Sequence, residues 1–288
     1  MTDRMKGLLY TGGGIMFLSP DALIIKMSGL DATGMIFWRG MLAGSSLFLI
    51  LLIVWRGDTW RHFRAIGKAG LLVTMFYAIS NSSFTAANTL TVAANVLVIV
   101  ATAPLFSAIF AQIFLKEPTS RRTWIASLIA MGGVALVAGE QISLNAGIGE
   151  LFALVCVLGI SITFVVIRSA REVNMLPATA IALALTAPAG FWFYAEPATS
   201  IAWSFVVIGN LIFIPIAYMG ITVGPRYLPP AETGLLLLLE TVFGSLWVWL
   251  VLAERPTDLG LVGGVIILVA LIGNTLIGMR QERAEAAA

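Results

Sequence analysis

The 288-residue chain holds one cysteine, one histidine and few charges, and each scarcity removes a class of chemistry. A lone cysteine, Cys156, permits neither an internal disulfide nor a cysteine-based zinc site. It sits in an apolar run and reads as a small buried hydrophobe. The lone histidine, His62, lies in a basic loop, so histidine metal sites and histidine proton relays inside an apolar span are excluded. No metal or other cofactor is expected. Charged residues make up only 11% of the chain, against about 25% in a soluble domain. The net charge of +2 is spread over loops rather than gathered in a patch, which argues against nucleic acid as a partner. No GxxxxGK[ST] phosphate loop occurs, so ATP is not the direct drive. The basic N-terminus leads into an apolar stretch without a small-residue cleavage site, and is read as an uncleaved first span.

What the chain has in quantity is hydrophobic residues, 59% of the total. Ten apolar stretches fit membrane spans: 7–26, 32–55, 69–90, 92–115, 122–140, 148–167, 177–195, 202–223, 231–252 and 259–279. Backbone groups in lipid must bond within their own segment, so these are helices. Placing the N-terminus inside leaves Lys26 and Arg255 in outside loops and Arg39 within a span; the remaining 14 of the 17 Lys and Arg lie inside. That asymmetry orients the chain with both termini cytoplasmic.

One phrase occurs twice. Residues 104–119 read PLFSAIFAQIFLKEPT, and residues 241–257 read TVFGSLWVWLVLAERPT. Phe106 matches Phe243, Leu115 matches Leu252 and Glu117 matches Glu254, each 137 residues apart. The first copy ends in a basic inside loop; the second has lost that charge and ends outside. Five spans per half is an odd number, so the second half enters from the opposite side. The expected architecture is therefore an all-α membrane protein with ten helices in two inverted five-helix repeats, 1–140 and 148–288. Inverted repeats place a solute site near midplane between the halves.

This arrangement resembles the EamA-type members of the drug/metabolite transporter superfamily. The resemblance rests on the paired signature Leu115-Lys116-Glu117 before Met131-Gly132-Gly133, and Leu252-Ala253-Glu254 before Gly263-Gly264. Within the family the chain is most similar to YddG-like bacterial amino-acid exporters. The resemblance implies a secondary transporter of the inner membrane that exports small metabolites by alternating access. One departure stands out: the family often has proline after the mid-helix Glu of the second repeat, and here Thr241 follows Glu240. A kink in the ninth span is expected to be missing.

The third span is unusually polar. Tyr77, Asn81, Phe84 or Thr85, and Asn88 share one helical face. They either line a water-accessible cavity that binds a polar solute or serve as packing glue between helices. In the repeat Asn81 falls opposite Tyr218, which becomes a candidate on the other wall. Glu240 is mid-span, where an acid costs roughly 2.5–3.5 kcal/mol on insertion scales. It serves a coupling proton, a substrate amine or structure alone. Asp21 and Arg39 lie roughly 8–10 Å below the outer surface at 1.5 Å per residue. They are expected to pair, as structure or as a gate. Trp247 lies deep enough to join Phe84 in the cavity. The aromatics at 191–194 and Trp203 fit an interfacial belt. Prolines 20, 104, 188 and 215 interrupt spans as kinks or as broken helices. Thr119 or Ser120, and Thr257 or Asp258, suit helix caps in structural turns.

The expected partners are membrane lipid, a small neutral or zwitterionic solute such as an amino acid, and a coupling proton. A phosphorylated solute would want several cations. Toxic organic cations are the alternative cargo. An intramembrane enzyme would need a nucleophile–base pair, and no motif supplies one.

Overall fold

The computed structural model describes residues 1–139, 147–193, 202–253 and 255–287. Among these every regular element is helical. The first half contains α1 (Asp3–Leu18), α2 (Asp21–Ser28), α3 (Ala32–Arg39), α4 (Ser45–Trp55), α5 (Thr59–Ala65), α6 (Gly67–Leu90), α7 (Ala93–Val100), α8 (Ala103–Phe110) and α9 (Arg121–Ala138). The second contains α10 (Ile148–Ser169), α11 (Leu176–Ala184), α12 (Thr186–Phe193), α13 (Trp203–Ile208), α14 (Ile214–Val223), α15 (Pro230–Leu237), α16 (Leu239–Leu252) and α17 (Asp258–Ala287). Wider π-helical turns at Gly40–Gly44, Ala111–Leu115 and Gly209–Phe213 connect or extend these rods.

Eight stretches among the described residues are long and apolar enough to cross a membrane. The expected third and seventh spans fall outside that set. Gly67–Leu90 has the length but carries the polar run around Asn81. The seventh is split at Leu185 into α11 and α12, and its last two expected residues lie outside the described set. Large apolar side chains such as Ile53, Leu71, Phe114, Leu250 and Val269 face outward from the bundle. In water such a belt would be a liability; against lipid tails it is the ordinary surface.

The sequence repeat has a structural counterpart. Lys116 and Ala253 both close their helices in the left-handed region, with φ of 56° and 55°. Non-glycine residues rarely adopt that conformation, and these two stand 137 positions apart, each just before the matched Glu. Two pairs of corresponding helices from the two halves then pack antiparallel. Along α9 and α17, Thr123 donates to Asn274 at one end (3.2 Å) and Gly133 meets Gly263 farther along. A Cβ on Gly263 would lie 2.4 Å from the Gly133 carbonyl oxygen, so these backbones need glycine to approach. Along α3 and α12, Gly40 abuts Ala187 and Gly190 abuts Phe37. Two further antiparallel pairs join the halves crosswise, α1 with α14 and α6 with α10.

The chain ends meet on one face. Arg4 donates to Glu282 at 3.2 Å, and Gly278 lies against the Arg4 guanidinium.

The stretch expected as the ninth span is jointed after all. The helix breaks at Leu238, between α15 and α16, although no proline follows Glu240. Leu238 and Thr241 each donate to the carbonyl three residues back, at 3.2 Å. Tighter i→i−3 turns supply the joint that proline was expected to make.

Candidate functional site

A cavity lies between the halves. Its wall comprises Leu18 and Asp21 from the first span, Arg39 from α3, Ser80, Asn81 and Phe84 from α6, and Val100 from α7. The second half adds Cys156 and Ile160 from α10, Tyr218 and Ile221 from α14, and Leu237 and Glu240 from the ninth span. The space open to the centres of water-sized molecules is about 60 Å³, enough for a few waters.

The wall is apolar around a small polar set, the usual make-up of a small-molecule site. Three backbone joints present that set. The first span breaks at Ser19 and Pro20, so Asp21 opens a new helix at the wall. Arg39 is the last residue of α3 before the turn at Gly40–Gly44 widens. Glu240 begins α16 just after the Leu238 joint. Arg39 donates through Nη2 to Oδ1 of Asp21, and both residues are buried, at 2% and 1% exposure.

Three polar atoms on this wall have no hydrogen-bond partner among the described residues: Nδ2 of Asn81, Oδ2 of Asp21 and Nε of Arg39. Buried polar groups are nearly always paired, because leaving one unpaired costs about 1–3 kcal/mol. Two donors and one acceptor are thus left unpaired on side chains that line the cavity. The hydroxyl of Tyr218 and the carboxyl of Glu240 complete the set.

Six of the nine expected site residues converge here: Asp21, Arg39, Asn81, Phe84, Tyr218 and Glu240. The other three lie off the wall, each for a local reason. Tyr77 is one helical turn below Asn81 and fully buried. Its ring packs edge-on against Tyr218 at 5.5 Å, and its hydroxyl accepts from Thr222 at 3.5 Å. Asn88 turns its amide back onto the Phe84 carbonyl at 2.9 Å, within its own helix. Trp247 donates to Ser19 at 2.9 Å and braces the joint of the first span.

Cys156 and Ser80 were not foreseen as neighbours. Ser80 donates to the Cys156 carbonyl at 3.0 Å, and its oxygen lies 3.4 Å from the thiol. A polar serine in α6 and a gap in the apolar run of α10 were visible in sequence, but nothing there said that they face each other. Among the described residues no cluster of His, Cys, Asp and Glu suits a metal ion.

Elsewhere the expected turns hold. Ser120 caps α9, accepting from the Thr123 amide at 3.3 Å, and Thr257 accepts from the Gly260 amide at 3.1 Å. Glu117 accepts from Arg168 at 3.2 Å. Glu254, the loop 140–146 and Tyr194 of the aromatic cluster lie outside the described residues.

The model of the EamA-like transporter family matches the chain twice, over residues 9–139 and 147–276. A solved structure, described as the crystal structure of a protein, superposes with a TM-score of 0.81 at 18% sequence identity. The match covers 95% of this chain and 98% of that one, a likeness of fold. No curated protein matches the chain significantly.

Proposed function

This chain belongs to the EamA-like transporter family, and we propose that it carries a small neutral or zwitterionic metabolite, most simply an amino acid, by alternating access. The carrying observation is the shared cavity. Residues from both halves bring one guanidinium, two carboxyls, an amide and a phenol to one apolar chamber. The unpaired donors of Arg39 and Asn81, with Tyr218, suit a carboxylate; Asp21 and Glu240 suit an ammonium. Glu240 is the carboxyl assigned to the coupling proton, because it has no cationic partner bonded to it among the described residues, whereas Asp21 holds Arg39.

In this reading the halves are 1–140 and 148–288, two inverted five-helix repeats with ten crossings. The antiparallel packing of α9 on α17 and of α3 on α12 supports the inversion. The two stretches below the apolar threshold cross as well: α6 turns its polar residues toward α10 and the cavity, and α11 with α12 makes one jointed crossing. Chain ends on the same face require an even number of crossings. The basic end carrying Arg4, Arg122, Arg168 and Arg226 faces the cytoplasm, in the inner membrane of a bacterial cell. Export as the direction comes from the family resemblance.

A second cargo has one observation in its favour. The cavity wall holds two acids against one arginine, a surplus that would suit an organic cation. Counterflow in proteoliposomes with labelled amino acids distinguishes the two. A carried amino acid overshoots its equilibrium level when unlabelled solute is preloaded. No overshoot with any amino acid, together with exchange of organic cations, moves the assignment to the second cargo; equilibration without saturation shows a channel.

A further inference from the structure

A second and larger space opens at the basic end of the bundle. About 310 Å³ is open there to the centres of water-sized molecules, against about 60 Å³ in the cavity between the halves. Small-molecule sites run from ~300 Å³ upward. One short helix links the two spaces. Ala231 and Glu232 near the start of α15 line the basic-end pocket, and Leu237 at its end lines the cavity. Five residues of helix span ~7.5 Å. The pocket therefore lies close behind the cavity, on the side assigned to the cytoplasm.

The charges on this pocket cancel. Arg4 from α1, Arg122 from α9, Arg168 from α10, Glu232 from α15 and Glu282 from α17 line it. Arg168 is matched by Glu117 at 3.2 Å. That leaves two guanidiniums against two carboxylates. Arg4 and Glu232 form the buried pair, with side chains 5% and 6% exposed. Arg122 and Glu282 are more open, and each reaches that pair through one longer bond. Arg122 donates to Glu232 at 3.3 Å, and Glu282 accepts from Arg4 at 3.2 Å. The Nε atoms of Arg4 and Arg122 have no hydrogen-bond partner among the described residues.

This balance selects a ligand class. An anion alone would enter beside two carboxylates, and a cation alone beside two guanidiniums. A zwitterion brings one charge of each sign and leaves the sum at zero. Its carboxylate on Arg122 and its ammonium on Glu282 would trade the two longer bonds for charge-assisted ones and leave the buried pair in place. Arg122 lies in the first turn of α9, after the Ser120 cap, where the helix dipole favours the anionic end of such a ligand.

We propose that this pocket is a second solute site, which takes a zwitterionic amino acid from the cytoplasm with its carboxylate on Arg122 and its ammonium on Glu282 before the solute reaches the cavity. The ligand class rests on the carrier reading, but the test needs no transport.

Thr119 lines the pocket and serves as the reporter position. Cys156 is the only cysteine in the chain, so full-length T119C/C156S carries a single thiol, at the pocket. The purified protein in detergent reacts with a maleimide while each neutral L-amino acid, inorganic phosphate or tetraethylammonium is added in turn. At least one neutral amino acid is expected to slow the reaction saturably, and phosphate and tetraethylammonium are not. R122Q, and separately E282Q at a half-exposed residue, should each raise the half-protecting concentration by roughly 10-fold or more, the worth of one charged hydrogen bond. N81A, which alters the cavity and not this pocket, should keep the protection. The proposal is overturned if no neutral amino acid protects, if phosphate or tetraethylammonium protects as well, if both R122Q and E282Q protect like the parent, or if N81A abolishes protection. Counterflow without protection at position 119 removes this site and leaves the carrier standing. Protection without counterflow keeps the site and sinks the carrier reading.

Discussion

Asn81 and Tyr218 occupy the same position in the two halves, 137 residues apart, and both line the cavity. Internal symmetry has brought two different polar groups to the wall of one chamber. Replacing either should weaken solute binding without harming the fold. N81A and Y218F are each expected to raise the apparent KM by roughly 2- to 10-fold, the net worth of one hydrogen bond. N88A, whose amide is bonded within its own helix, should leave KM unchanged. Saturation curves in proteoliposomes measure all three.

The Arg39–Asp21 pair predicts an asymmetry of another kind. Removing one member of a buried pair leaves an uncompensated charge and costs about 3–5 kcal/mol. R39A should therefore lower the melting temperature and yield of detergent-solubilised protein sharply. R226A should not, because Arg226 is bonded to the Arg171 carbonyl at an exposed site. R39M/D21N should recover part of the loss. Equal stability of R39A and R226A would contradict the pairing as a structural requirement.

Glycine contacts give a third expectation, independent of function. Alanine at Gly263 would push against the Gly133 carbonyl, and overpacking of that kind costs about 1–3 kcal/mol. Alanine at Gly132 meets nothing within 4 Å and should be neutral, or stabilising by up to about 1 kcal/mol through helix propensity. Thermal unfolding of G263A and G132A in the same detergent checks the sign of both.

The role of Glu240 is tested by separating drive from exchange. E240Q should abolish uptake driven by a proton gradient while keeping counterflow, since exchange needs no net proton movement. Loss of both would indicate that Glu240 holds the substrate amine instead.

Much of the cavity wall was legible because the repeat does the work of an alignment. Matching Glu117 to Glu254 placed Tyr218 opposite Asn81, and depth along the helices placed Asp21 beside Arg39. What the sequence could not show was which faces of distant helices meet. Arg4 and Glu232 lie 228 residues apart, and no sequence pattern joins them. The Ser80–Cys156 contact was hidden because a cysteine in an apolar run signals burial, not direction. The joint at Leu238 was missed because proline was taken as its necessary cause, whereas a tighter turn makes it without one. Tyr77, Asn88 and Trp247 were placed on the right helices, but each finds a nearer partner than the cavity.

The central claim is that the chamber between the halves holds the solute. Protection of Cys156 tests it most directly, because the thiol lies in the chamber wall and no engineered cysteine is needed. A solute shown by counterflow to be carried is added at increasing concentration while a permeant maleimide reacts with the protein. The expected result is slowing of the reaction, half-maximal near the KM for transport. An alkylation rate that does not change at saturating solute would place the binding site elsewhere and contradict the account.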